Sequence, residues 1–288
     1  ACTASAINLS NLASPYIRSI GADLVWNGTP NIQGDGVTVA IVDSGVTANS
    51  NDLRTGASTS RIKATVQIGA VSGIVDDYYG HGSQVAGVIA GNGALSNGAY
   101  FGVAPNANLI DVKVTNDQGA GSTSDVIAGL QWIFTNRDTY NIKVVNLSLN
   151  STIAESYHTS ALNAAVEVLW FNKITVVVSA GNAGADKLFP PANDPFVITV
   201  GAMDDRGTTT ISDDALASYS AFGVTSDGFV KPDLVAPGHK IVGLLASDDT
   251  NLVQNYPDYK VTAATGARYF KMSGTSVASA VVAGAAAL

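Results

Sequence analysis

Five short runs decide what this chain can fold into: "VTVAIVD" (37–43), "NLIDVKVT" (108–115), "IKVVNLSL" (142–149), "ITVVVSAGN" (174–182) and "FVITVGAM" (196–203). In each, apolar residues follow one another instead of alternating with polar ones. A strand with one wet face alternates, whereas a strand covered on both faces does not, and such strands belong to parallel sheets between layers of helix. Helical spacing lies between the runs. "SDVIAGLQWIFTN" offers Ser124 as a cap and an apolar face of Val126, Ile127, Leu130, Ile133 and Phe134, and "YHTSALNAAVEVLWF" repeats the pattern. Strands alternating with helices predict an α/β fold of three layers, a central, mostly parallel sheet flanked by helices. With 288 residues and neither repeat nor linker, the chain is expected to form one domain, residues 1–288.

The balance of residues narrows the function. Charged residues make up 13% and are dispersed, while hydrophobic residues make up 46%, which is a globular composition. A net charge of -8 without a basic stripe argues against a nucleic-acid partner, which requires cations to displace counterions from phosphates. Cys2 is the only cysteine, so no intrachain disulfide is available, and three histidines offer no zinc-type cluster. The first residues have neither a basic nor an apolar targeting segment, so any such segment is expected to have been removed or never present. The apolar stretch 277–288 is shorter than the roughly 20 residues that cross a bilayer, so no membrane partner is expected.

In parallel sheets the functional groups gather at the carboxyl ends of the strands. Asp43 ends a strand otherwise suited to a sheet interior, where a lone carboxylate is costly unless partnered. His81 lies in "YYGHGSQVAGVIAG", between glycines that allow another backbone to approach the ring and ahead of a helical run that would hold it. Ser276 opens the last apolar helix, whose unpaired N–H groups suit an oxygen nucleophile and the oxyanion its attack creates. Asn182 ends a buried strand in "VVVSAGNAG", where its amide could donate to that oxyanion. Each residue also has a plain reading: turn or cap aspartate, structural histidine, helix-cap serine, turn asparagine. Their order discriminates between chemistries. No histidine follows Ser276, which excludes an α/β-hydrolase. A His-Asp-Ser order drawn through Asp111 requires an all-β barrel, which the helical stretches contradict. What remains is Asp, His, Ser on a parallel α/β sheet.

"VAIVDSGV", "GHGSQVAGVIAG", "SAGNAG" and "SGTSVASAVVAG" resemble the four signature stretches of the subtilisin-like serine proteases, in that family's order. "GVAPNANLIDVKV", "FPPANDPFVITVGA" and "KPDLVAPGHKI" resemble its connecting segments, so the likeness runs from about residue 30 to 288. The resemblance implies a serine endopeptidase with Ser276 as nucleophile, His81 as general base and acid, Asp43 as its orienting carboxylate, and Asn182 with the Ser276 N–H as oxyanion donors. It also implies that protein or peptide substrates lie extended between Gly119, Ala120 and Gly121 on one side and Ser148, Leu149 and Asn150 on the other. Ser179, Ala180 and Gly181 would line the first pocket, with a broad preference for apolar or aromatic residues.

No cofactor is implied for the chemistry. A structural calcium ion is an expectation from the family, with the acid pairs Asp76-Asp77, Asp204-Asp205, Asp213-Asp214 and Asp248-Asp249 as places to look, though none has EF-hand spacing. A monomer and a secreted location are expected on the same grounds. The chain departs from the family pattern at Asn150 and Ser151, where many relatives have glycines, at Ala280 for a usual proline, at Val277 for a common methionine and at Ser83 for threonine. Its stop at Leu288, inside a helix with no C-cap, is read as a truncated catalytic domain. The alternative reading is a catalytically silent peptide-binding protein on the same fold. A dinucleotide site at "GAG" (119–121) lacks the third glycine and the acidic partner. The polar stretch 246–266 reads as a surface excursion.

Overall fold

The computed structural model describes residues 5–48, 50–56, 58–69 and 76–288. Seven strands form a parallel sheet: β1 (Thr38–Asp43), β2 (Ile62–Gln67), β3 (Asn108–Lys113), β4 (Ile142–Leu147), β5 (Thr175–Ser179), β6 (Ile198–Asp204) and β7 (Leu234–Pro237), in the order β2-β3-β1-β4-β5-β6-β7. The short strand Ala215–Leu216 adds an antiparallel partner to β6. Four long helices, α1 (His81–Ala90), α2 (Thr123–Asn136), α3 (Ala161–Phe171) and α4 (Thr275–Ala287), cover it.

The continuous apolar runs are explained by two cores. Val39, Ile41, Leu109, Val144 and Val177 point into one, which α1 and α4 complete. Ala40, Val42, Ile110, Val145 and Val176 point into the other, with Val126, Leu130 and Ile133 of α2 and Leu162, Val166 and Leu169 of α3. Alternate residues of each strand thus serve opposite faces, and both faces are dry. β2 and β7 escape the sequence reading because they are edge strands. β2 alternates between intermediate and exposed residues, and two of the four residues of β7 are exposed. The cap of α2 is Ser122, not Ser124; its Oγ accepts from Asp125 N at 3.1 Å, and the helix begins one residue later, at Thr123.

From β1 the chain passes to β2 and β3 on one side, then crosses to β4 on the other. The crevice opened by that reversal lies at the carboxyl end of β1, where Asp43 sits. Helix α4 packs on α1 and runs across β4, β5, β6 and β7, so its first turn is carried to the same end of the sheet. Val277, Ala278, Ala280, Val281 and Ala283 are fully buried there. Small side chains let the helix lie this close: a Cβ on Gly284 would sit 2.6 Å from Val103 Cβ. Each buried valine contributes about 1.5–3 kcal/mol, so α4 is a fixed mount for whatever its first turn carries.

Candidate active site

Asp43, the last residue of β1, is 5% exposed. Its Oδ1 and Oδ2 lie 2.8 and 2.9 Å from His81 Nδ1, and Oδ1 also accepts from Ser44 N at 2.7 Å. Burial alone would push the imidazole down, but the charge and hydrogen bond of Asp43, with a smaller contribution from Asp77, outweigh it and hold His81 above the ordinary histidine range. Asp43, and not Asp111, is therefore the partner of His81. Asp111 is buried on β3, and burial pushes its carboxyl well above the ordinary range.

The histidine is held from outside its own helix. Gly80 occupies the N-cap of α1 with φ 96° and has no side chain with which to cap it. Asp77 does so instead: Oδ1 accepts from Gly80 N at 2.7 Å and Oδ2 from Ser83 N at 2.8 Å. Ser44 Oγ accepts from Gly82 N at 3.0 Å and donates to Asp77 Oδ1 at 2.8 Å. Ser83 Oγ accepts from Thr47 N at 2.9 Å, and the buried Lys113 ammonium donates to Ser44 O and Asp76 O, both at 2.9 Å. These bonds stitch the loop after Asp43 to the helix of His81. The approach is so close that a Cβ on Gly82 would fall 2.2 Å from Gly45 O. The glycine after His81 does what the sequence suggested, and Asp77, read there only as half of an acid pair, is the residue that sequence reasoning missed.

Ser276 is the second residue of α4 and is 8% exposed. Its hydroxyl donates to Ser148 O at 3.3 Å, so in this resting geometry it is turned to the end of β4 and not onto the imidazole. Such catalytic bonds commonly tighten only when substrate is present. Ser148 Oγ returns a bond to Ser276 O at 3.0 Å, which ties the helix start to the strand end. Asn182 Oδ1 accepts from Thr275 N at 2.9 Å and from Thr275 Oγ1 at 3.0 Å, and Thr275 Oγ1 accepts from Gly181 N at 3.1 Å. With its oxygen engaged at the helix start, the side chain lines a cleft together with His81 and Ser276.

Two clefts meet at Tyr79 and His81. One, of about 270 Å3, is lined by Asp43, Thr115, Gly119, Ser148, Leu149 and Asn150. The other, of about 410 Å3, contains Asn182 and Ser276. The structure thus brings Gly119 together with the 148–150 segment at one cleft. Ala120 is different. Its N–H donates to Asn116 Oδ1 and its C=O accepts from Asn116 N, so its backbone is closed within the loop, as is the Gly119 N–H, which donates to Asn116 O at 2.9 Å. Asn150 Nδ2 donates to Ser179 O at 2.8 Å and Asn150 Oδ1 accepts from Ser179 Oγ at 3.1 Å. That side chain spans the gap between the two segments expected to wall the first pocket, and a Cβ on Gly181 would lie 3.8 Å from it.

Several of the acids that the sequence offered as places to look for calcium have partners within the chain. Asp77 caps α1, Asp204 faces Arg206, and Asp248 is paired with Arg268 and Lys260. Among the described residues no three of His, Cys, Asp and Glu are grouped to hold a metal ion, and no helix is long and apolar enough to cross a membrane.

Known proteins resemble this chain. The Subtilase family description matches residues 34–288. The serine protease AprX of Bacillus subtilis (strain 168) is 38% identical over 283 residues, covering 92% of this chain and 59% of its own length. Subtilisin Savinase of Lederbergia lenta is 34% identical over 259 residues, 89% of this chain and 77% of its own. A solved cold adapted subtilisin-like serine proteinase superposes with a TM-score of 0.62 at 30% identity, covering 89% of this chain and 76% of that one. The chain spans 59% of the length of AprX and 45% of a cuticle-degrading serine protease from Arthrobotrys oligospora.

Proposed function

Because this chain belongs to the subtilase family, we propose that it is a serine endopeptidase domain hydrolysing peptide bonds through Ser276, His81 and Asp43. The observation that carries the reading is the pair formed by His81 Nδ1 and the buried Asp43 carboxylate, with His81 lining one cleft together with a serine at the start of a buried helix. With Nδ1–H donated to Asp43, the imidazole presents Nε2 unprotonated, the tautomer a general base requires.

Ser276 Oγ leaves Ser148 O by rotation about χ1, gives its proton to His81 Nε2 and attacks the scissile carbonyl carbon. The tetrahedral oxyanion takes hydrogen bonds from Asn182 Nδ2 and Ser276 N, one of the N–H groups that a helix start leaves without a partner. His81 then protonates the departing amine, leaving an acyl ester on Ser276. Water enters, gives its proton to His81, and the ester is cleaved by the reverse sequence. Asp43 steadies the imidazolium in both halves without taking the proton. Every proton and charge is handled by groups of the chain itself, so the reading calls for no cofactor.

The peptide lies extended along the edges Gly119, Gly121 and Ser148 to Asn150, bound through its main chain, with side-chain choice left to pockets. Ser179, Ala180 and Gly181 face the first pocket, which takes apolar residues, with Asn150 across its mouth limiting their size. A secreted monomer acting on protein substrates completes the proposal. Incubation with an unfolded protein, with products identified by mass, tests it. Internal cleavage that vanishes in Ser276→Ala supports the reading; a folded wild type that leaves the substrate intact contradicts it and favours a silent peptide-binding role.

A further inference from the structure

The polar stretch that the sequence presents as a surface excursion enters the site. Residues Asn251–Asn255 form a short helix, Pro257–Tyr259 a single turn, and Lys260–Thr262 a strand antiparallel to Arg268–Met272. The excursion is fastened beside His81: Asn251 N donates to Tyr78 O at 2.9 Å and Leu252 N to Tyr79 O at 3.1 Å. It carries Leu252, Tyr256 and Tyr259 into the 410 Å3 cleft, where they join Tyr79, Phe270 and Met272 around His81, Asn182 and Ser276.

The rings form a continuous wall. Tyr256 and Tyr259 meet edge to face at 6.1 Å, Tyr259 and Phe270 lie 6.4 Å apart, and Tyr79 lies 6.2 Å from the His81 ring. Packing does not consume them. Tyr256 remains 54% exposed and Tyr259 42%, so an apolar surface next to the reacting atoms is open to a ligand. The peptide edges, Gly119 and Ser148 to Asn150, line the other cleft, which shares Tyr79 and His81 with this one. A chain that places its acyl half on those edges and its scissile carbonyl at Ser276 must lead its leaving half into the aromatic cleft.

We propose that the excursion 246–266 builds a recognition site for the leaving half of the substrate, selecting large apolar or aromatic residues just after the scissile bond. The proposal rests on the endopeptidase reading above. Tyr256 and Tyr259 are its specificity residues. Burying a leucine or phenylalanine side chain against these rings gains what a glycine cannot, and differences of even one methylene in an apolar pocket are worth about tenfold or more in kcat/KM.

The test uses internally quenched peptides with one fixed acyl half that the protein cleaves, varied only at the first residue after the bond: Gly, Ala, Leu, Phe, Asp. Leu and Phe are expected to exceed Gly in kcat/KM by about tenfold or more, and the ratio is expected to collapse in Tyr256→Ala and Tyr259→Ala. Tyr259→Leu, which keeps apolar bulk, is expected to retain much of it and stands in if an alanine variant does not fold. A flat wild-type series, or an undiminished ratio in both tyrosine variants, overturns the proposal. Fluorophosphonate labelling of Ser276 needs no leaving-half residue and separates the two readings. Labelling with a flat series overturns this inference alone, whereas neither labelling nor cleavage by folded wild type overturns the endopeptidase reading and this one with it.

Discussion

Asp77→Asn tests whether the histidine is held by a carboxylate outside its own helix. Asp77 is 2% exposed and takes Gly80 N and Ser83 N on its two oxygens, with Ser44 Oγ as a third donor. The amide that replaces it has the same shape but only one acceptor oxygen, and sets an NH2 group against a backbone N–H. A buried donor left without an acceptor costs about 1–3 kcal/mol, and hydrogen bonds to charged groups are worth about 1.5–3 kcal/mol. Because the Ser44 hydroxyl can turn to another acceptor, the expected loss is about 2–4 kcal/mol, a large share of the roughly 5–15 kcal/mol that holds a domain together. A second effect has a fixed sign. The negative charge of Asp77 helps to raise His81, so its removal lets the imidazole fall and shifts the acid limb of the pH–rate profile to lower pH. Ser44→Ala removes one of these bonds, the one to Asp77, and also the bond from Gly82 N, without removing a charge, and is expected to lower stability while moving that limb less. Urea titration reads the stability, and kcat/KM against pH on a small ester substrate reads the histidine. An Asp77→Asn protein with unchanged midpoint and unchanged acid limb would refute the reasoning.

Other outcomes follow from the same geometry. Because Asp43 holds His81 raised, activity should fall as pH drops through a value above that of free histidine. The pair's contribution to stability should be full below the unfolded value and fade as pH rises through the folded one. Asp43→Asn should remove both effects, as a pH titration of rate and melting temperature would show. Gly82→Ala forces a Cβ to within 2.2 Å of Gly45 O, and overpacking at backbone should cost at least about 3 kcal/mol by denaturant titration. A substitution within about 0.5 kcal/mol of wild type would show that the two segments are not pressed together. Asn150→Gly removes the bridge to Ser179, so cleavage-site profiling should shift toward larger residues in the first pocket; an unchanged profile would mean that Asn150 swings aside. Asn182→Ala should lower kcat by about 10²–10³-fold with little change in KM, the usual effect of losing one oxyanion donor.

The buried strands were legible because dryness on both faces leaves an unbroken apolar run, and the candidate set Asp43, His81 and Ser276 was legible because each sits at a strand or helix end. The edge strands Ile62–Gln67 and Leu234–Pro237 were not, since none of the first strand's residues is fully buried and two of the second's four are exposed, so their pattern blurs into that of a turn. Asp77 was hidden for a different reason. An acid four residues before a histidine looks like a loop carboxylate until the helix start is known to fall on a glycine that cannot cap itself. The spacing of Asp77 ahead of "GHGS" was the available signal. The tyrosines of the excursion gave none, because only the pairing of Asn251 and Leu252 with the backbone before His81 brings them into the cleft. Nor does sequence reveal that Ala120 has its backbone closed onto Asn116, or that Asn150 reaches Ser179. Those are choices between neighbours made by loop geometry.

The central claim is that Ser276 is an activated nucleophile, and a fluorophosphonate probe asks that directly. Wild type, heat-denatured wild type and Ser276→Ala would be treated side by side and the adduct located by peptide mass. The account predicts one adduct, on Ser276, in the native protein alone, with its rate falling as pH drops through the raised His81 value. Folded wild type that takes no adduct, or labels elsewhere, would contradict it.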